Sequence, residues 1–79
     1  MLTIPDQLRT LLTSRFDMLE SQLEDDRRLA ELDFDSLALL ELSVACYEDL
    51  GIEVGDTELN GNMRLSELSS LVSARLEAR

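Results

Sequence analysis

The chain has 79 residues, a formal net charge of −10 and no histidine. A chain of this length forms one small domain with a modest core, so a deep substrate cavity with its own catalytic residues is not expected. The lack of histidine removes the commonest general base and metal ligand. The single cysteine, Cys46, excludes an internal disulfide and a zinc site built from cysteines. We expect one domain over residues 1–79 that is not an enzyme.

The charge balance indicates which partners the chain can bind. Because 17 acidic residues face only 7 basic ones, the surface is a poor match for the phosphates of nucleic acid. Basic protein surfaces are the natural partners of such a chain. No apolar run is long enough to cross a bilayer, and the first residues lack the pattern of a signal peptide. We therefore expect a cytoplasmic monomer that binds neither membrane nor nucleic acid.

The first helix is predicted to begin near Pro5, with Thr3 or Ile4 as its cap and Asp6 in its first turn. It is expected to end somewhere between Phe16 and Leu23. Leucines recur along it at helical spacing, namely Leu8, Leu11, Leu12, Leu19 and Leu23. The following stretch, "EDDRRLAEL", mixes charges without strong punctuation, and we interpret it as a long loop with room for one helical turn.

The second helix is predicted from Ser36 to Leu50, because Gly51 is placed where a glycine commonly ends a helix. An extended connection and a short turn capped by Asp56 or Thr57 follow, with Gly61 ending that turn. The last helix is expected from Met63 to Ala78. The fold class is therefore all-α: a small antiparallel bundle of three main helices and an optional short fourth, with a long loop between the first and second.

The second helix carries apolar residues on two sides when its residues are placed at about 100° intervals. The predicted core face holds Leu39, Leu42, Cys46 and Leu50, with Leu40, Ser43 and Tyr47 at its edge. The opposite side holds Leu37, Glu41, Val44 and Glu48. Acids that flank apolar residues suit a docking surface for a basic partner. The alternative is that Leu37 and Val44 are ordinary scattered surface residues.

The segment "LDFDSLALLEL" resembles the Leu-Gly-X-Asp-Ser-Leu signature of acyl carrier proteins, and the resemblance extends over nearly the whole chain. It implies that Ser36 carries a covalent 4'-phosphopantetheine arm, supported by Asp35. The thiol of the arm would hold acyl intermediates as thioesters. The implied partners are a phosphopantetheinyl transferase and acyltransferases, synthases or ligases of fatty acid, polyketide or related biosynthesis. The usual glycine of the signature is Asp33 here, and Arg64 replaces a common capping threonine.

Other interpretations stay open at this point. The chain could be an aminoacyl or peptidyl carrier, or an unmodified acidic helical adaptor in which Ser36 is a plain helix cap. A calcium site near Asp33 and Asp35 is disfavoured, because the glycine and the spaced ligands of an EF-hand loop are missing. Cys46 is expected in the core and not as a nucleophile.

Overall fold

The computed structural model describes residues 4–79, which form three α-helices joined by loops that contain short 3-10 turns. The helices are α1 (Asp6–Arg15), α2 (Ser36–Ala45) and α3 (Leu65–Ala78). Within this range no strand forms, although Arg28 and Arg64 make one isolated antiparallel bridge. The predicted all-α fold with a long first loop is confirmed. None of the helices in the described range is both long and apolar enough to cross a bilayer.

Helix α1 begins one residue later than predicted. Pro5 is its N-cap and not its first residue, so Ile4 does not cap it, while Asp6 lies in the first turn as expected. The other predicted cap, Thr3, lies outside the described residues. The proline supplies no side-chain hydrogen bond, and the negative charge of Asp6 interacts favourably with the helix dipole instead.

Helix α1 ends at Arg15 because the chain turns sharply there. Asp17 adopts a left-handed backbone conformation with φ of 53°, and the N–H of Met18 donates to the carbonyl of Leu12 at 3.2 Å. The prediction that Leu19 belongs to the apolar stripe was therefore wrong, since this side chain is 65% exposed. Leu23 is buried as predicted, but in the loop after a 3-10 turn at Glu20–Gln22.

The long first loop is attached to the beginning of α3 by main-chain hydrogen bonds. Residues 25–30 and 61–66 run side by side, and each segment donates to the other. The bonds join Leu29 N to Met63 O (2.9 Å), Ala30 N to Gly61 O (3.0 Å), Leu65 N to Arg27 O (2.8 Å) and Ser66 N to Asp25 O (3.1 Å). The expected helical turn is present as a 3-10 helix at Leu29–Leu32, with Leu29 fully buried.

Helix α2 continues beyond Ala45 as a π-helical turn at Cys46–Leu50. Gly51 ends it with φ of 67°, a conformation that glycine adopts without steric cost. The predicted span from Ser36 to Leu50 is thus helical throughout, although its last five residues are more widely wound than an α-helix. Ile52 and Val54 follow in a segment without helix or strand and are buried.

The short fourth element is a 3-10 helix at Asp56–Glu58. Gly55 precedes it as the cap, so the predicted caps were wrong. The element ends at Glu58, with Leu59 as its C-cap, and not at Gly61. Helix α3 begins at Leu65, two residues later than predicted. Its cap, Arg64, offers no side-chain acceptor, but the Glu67 carboxylate accepts from the Arg64 N–H at 2.8 Å.

One apolar core lies between the three helices and the loops that cover them. Burying these side chains is the main source of stability in a domain this small. The most completely buried apolar residues are Leu8, Leu12, Leu29, Leu42, Cys46, Leu65, Leu68 and Val72. Leu39, which was also predicted to face inward, packs at the border of this core together with Leu71 and Leu76.

Candidate functional site

The segment that leads into α2 is fixed by the core on one side and by a sharp turn on the other. Asp33 ends the 3-10 helix Leu29–Leu32 with φ of 67° and ψ of 24°. Phe34 follows, is 4% exposed and donates its N–H to the carbonyl of Leu29 at 3.0 Å. Aspartate tolerates the left-handed conformation better than most residues, so the turn forms although the family signature has glycine there.

Asp35 is the N-cap of α2, and Ser36 is the first helical residue. One carboxylate oxygen of Asp35 accepts from the N–H of Ala38 at 2.8 Å, which is the usual bond of a capping side chain. Ser36 is exposed, and no other side chain among the described residues bonds to its hydroxyl. Ser36 is therefore not the helix cap that the adaptor alternative assumed, because Asp35 performs that role.

The N-terminus of α2 can accept a phosphate group. Among residues 4–79, no acceptor takes the backbone N–H of Ser36 or of Leu37, and such groups together with the helix dipole favour an anion. The negative charges of Asp33 and Asp35 disfavour an anion at this place, since both residues lie within three positions of Ser36. The cap bond turns one Asp35 oxygen toward the helix. The residues thus fit one phosphodiester, which carries a single negative charge.

The outer side of α2 exposes the four residues that the sequence predicted there. Leu37 is 64% exposed and Val44 is 47% exposed, and both carboxylates, of Glu41 and Glu48, reach solvent. The structure brings these side chains together along one side of a single helix, which ends in the π-helical turn that holds Glu48.

Two further apolar residues, which were not predicted there, join this side. Leu40 and Tyr47 were predicted at the edge of the core face, yet they are 47% and 63% exposed. Leu37, Leu40, Val44 and Tyr47 follow one another at spacings of three, four and three residues. That spacing is readable in the sequence and could have identified the row. We call these four residues the apolar row of α2.

The two acids on the outer side differ in their surroundings. Arg15, in the last turn of α1, lies 3.1 Å from the Glu48 carboxylate and 3.1 Å from that of Asp49. The hydrogen bond to Glu48, with the charge of Asp49, raises the pKa of Arg15 above its usual value. Glu41 makes no ion pair within residues 4–79. Its charge is therefore available to a partner, whereas that of Glu48 is already balanced in part.

Cys46 faces the core, as the sequence predicted, and is fully buried. Burial raises the pKa of its thiol to about 11, with a smaller contribution from the charge of Asp49. A thiol with this pKa stays protonated at neutral pH and is a poor nucleophile. The one cysteine of the chain therefore serves packing.

Comparison with protein families supports the cofactor that the N-terminus of α2 can accommodate. The family model described as "Phosphopantetheine attachment site" matches residues 6–72, which include all of α1 and α2 and the first half of α3. No curated protein and no solved structure matches the sequence. Members of this family are carriers that hold 4'-phosphopantetheine through a covalent bond. Since the match covers most of the chain, this protein belongs to the phosphopantetheine attachment site family.

Proposed function

We propose that the protein is an acyl carrier protein, a single domain that holds its cargo on a 4'-phosphopantetheine arm attached to Ser36. One observation carries this assignment. Ser36 is exposed at the first position of α2, while Asp35 makes the capping bond at the start of this helix. The Ser36 hydroxyl therefore has no structural task and is available for modification.

The chain contributes position and local charge to the attachment. The Ser36 oxygen would form a new bond to the phosphorus of coenzyme A that carries the pantetheine, while the diphosphate bond breaks and adenosine 3',5'-bisphosphate leaves. The N–H groups of Ser36 and Leu37 are available to the phosphate oxygens. We propose that the hydroxyl proton passes to a base on the transferase, since the chain contains no histidine and one oxygen of the Asp35 carboxylate is engaged as the cap. The bound arm supplies a thiol that carries the cargo as a thioester.

The outer side of α2 is the proposed docking surface for partner enzymes. It comprises Leu37, Glu41, Val44 and Glu48, to which we add Leu40 and Tyr47 from the apolar row of α2. This combination offers a partner both apolar area and negative charge. We expect the transferase and the enzymes that load and unload the cargo to bind here through a surface with basic residues around an apolar centre.

The nature of the cargo decides between acyl and aminoacyl or peptidyl carriers. The excess of acidic residues and the Asp35–Ser36 pair favour an acyl carrier in fatty acid, polyketide or related biosynthesis. The mass of the intact protein purified from its own host would distinguish these cargoes, because it reports the arm and the group bound to it together.

The attachment site is tested with the apo protein, coenzyme A and a broad-specificity phosphopantetheinyl transferase. The wild-type chain should gain the mass of one arm, and Ser36→Ala should gain none. Ser70→Ala is the matched control, because Ser70 is an exposed serine on α3. Both variants should keep the melting temperature of the wild type, since Asp35 still caps α2. Modification of Ser36→Ala would show that the arm is attached elsewhere.

A further inference from the structure

A small cavity opens between the end of α1 and the beginning of α2, on the side of the long first loop. Its volume is about 250 Å³. Phe16, Leu32 and Phe34 give it an apolar lining, and Asp17, Gln22 and Asp33 add polar groups. The rings of Phe16 and Phe34 contact each other, with centroids 5.2 Å apart. The cavity is therefore amphipathic, since its lining combines aromatic and aliphatic side chains with two carboxylates and one amide.

The cavity is lined by residues on both sides of the proposed attachment point in the sequence. Asp33 and Phe34 precede Ser36 by three and two residues, and Ala38, in the first turn of α2, also lines the cavity. A group that is covalently bound to Ser36 thus begins within a few residues of the cavity wall. This closeness removes most of the entropy cost that a separate ligand would pay to bind there.

Two sharp turns build the walls of the cavity. Asp17 and Asp33 are the non-glycine residues with positive φ in the described part of the chain, and both line the cavity. The first turn is closed by the bond from Met18 N–H to Leu12 O. The second is closed by the bond from Asp33 N–H to Ala30 O at 3.3 Å. Both carboxylates are therefore attached to backbone that the fold holds in place.

The lining matches the chemistry of the part of the arm next to the phosphate. That part, the pantoyl group, carries two geminal methyl groups, a hydroxyl and an amide, and it has no charge. Its methyl groups suit Phe16 and Phe34, while its O–H and N–H donors suit the acceptor oxygens of Asp17 and Asp33. The phosphate is repelled by the same carboxylates and would stay at the N-terminus of α2.

The size of the cavity favours a segment of the arm over the whole arm. Pockets that enclose drug-sized ligands measure roughly 300–1,000 Å³, and this cavity measures about 250 Å³. We infer that the pantoyl segment of the arm binds in this cavity, lined by Phe16, Asp17, Leu32 and Phe34, and leaves the thiol end extended toward partners. The inference rests on the proposed function, since it requires an arm on Ser36.

Nuclear magnetic resonance of the holo protein tests the inference directly. Nuclear Overhauser effects should connect the geminal methyl protons of the arm with ring protons of Phe16 and Phe34. The amide signals of Asp17 and Gln22 should also shift when the apo protein is converted to holo, although both residues lie 14 or more positions from Ser36 in sequence. Cross-peaks from the methyl groups to Tyr47 or Val54, or no cross-peaks to the protein, would overturn the inference.

A pair of glutamine variants provides the matched control. Gln22→Ala removes a polar group from the cavity, whereas Gln7→Ala changes an exposed glutamine of α1 that lines a different groove. The methyl-to-ring cross-peaks should lose at least about half of their intensity in holo Gln22→Ala and keep it in holo Gln7→Ala. Equal intensities in both variants would contradict a role for Gln22.

The mass of the protein separates the two proposals. A chain that gains no arm overturns both, and a modified chain without these cross-peaks overturns only the inference about the cavity.

Discussion

The guanidinium of Arg15 lies 3.1 Å from the carboxylate of Glu48, and this contact joins the end of α1 to the end of the second helix. Asp49 accepts from the same Arg15 nitrogen at 3.1 Å. An arginine thus balances part of the negative charge at one end of the proposed docking surface. Glu41, one helical turn after Leu37, is exposed and makes no ion pair within residues 4–79.

We therefore predict that the two acids of the docking surface contribute unequally to partner recognition. Glu41→Gln should lower kcat/KM of the transferase for the carrier by up to about fivefold, as expected when an exposed ion pair worth about 0.2–1 kcal/mol is lost. Glu48→Gln should lower it less, and both effects should shrink as salt is added. The check is a kinetic titration of both variants at two salt concentrations. A larger loss for Glu48→Gln would contradict the unequal roles.

Leu42 should be among the residues that matter most for stability. Its side chain is fully buried in the centre of α2, and replacing such a leucine by alanine costs about 2–5 kcal/mol. Leu40→Ala, on the same helix but 47% exposed, should cost clearly less. Urea unfolding followed by circular dichroism measures both. If the two variants unfold at the same urea concentration, the buried side chain of Leu42 contributes no more to stability than the exposed side chain of Leu40.

Thiol labelling should distinguish the arm from the protein. At pH 8 a thiol whose pKa is about 11 is about one-thousandth thiolate, and Cys46 is also fully buried. A chromogenic disulfide reagent should therefore detect no fast-reacting thiol in the apo protein and one in the holo protein. In denaturing urea each form should show one more. Rapid labelling of the folded apo protein would mean that Cys46 is accessible.

Glu58 should make stability depend on pH in the acid range. The Arg75 guanidinium, and then the N–H of Gly55, hold the pKa of this carboxylate below its usual value. A lowered folded-state pKa stabilises the fold above the unfolded-state pKa of about 4.3, and the contribution disappears as pH falls through the folded-state pKa. Glu58→Gln should lower Tm at pH 7, and its difference from the wild type should vanish in stronger acid.

A second substitution controls for the change of net charge in that experiment. Glu77 is an exposed acid on α3 without an ion pair among residues 4–79, so Glu77→Gln should leave Tm unchanged or raise it slightly by reducing repulsion. A pH-independent difference between Glu58→Gln and the wild type would show that the pair with Arg75 does not form in solution.

The parts of the fold that were predicted correctly are those controlled by neighbouring residues. The span of the second helix follows from its apolar periodicity and from Gly51, whose φ of 67° is a local requirement. The burial of Leu42, Cys46 and Leu50 follows from the same periodicity. Both signals act over one or two helical turns, so they can be read from the sequence without knowledge of the tertiary structure.

The predictions that failed depended on contacts between distant segments. Helical periodicity places Tyr47 near the core face but does not show where the neighbouring helices stop covering it. The end of α1 depends on the left-handed turn at Asp17, a conformation that aspartate can adopt but does not require. The ion pair between Arg15 and Glu48 joins residues 33 positions apart, and no local sequence pattern predicts it.

The cavity illustrates the same limit at the candidate site. The proposed roles of Ser36 and Asp35 were predicted from one short segment, because the residues that define the start of a helix are consecutive. Phe16 and Phe34 lie 18 positions apart, and their contact exists only because α1 ends where it does. A site formed by two loops can be recognised only once the tertiary structure is known. A site formed by the start of one helix can be predicted from its sequence.

The main-chain bonds between residues 25–30 and 61–66 have a mechanical consequence for a carrier. They hold the long first loop against the beginning of α3, and the buried side chain of Phe34 attaches the end of this loop to the core. On the proposed function, the base of the arm at Ser36 is then a pivot that the start of α2 and the loop before it hold in place. On the proposed function, delivery of cargo from one enzyme to the next therefore comes from rotation of the arm and tumbling of the whole domain, while the pivot itself stays still.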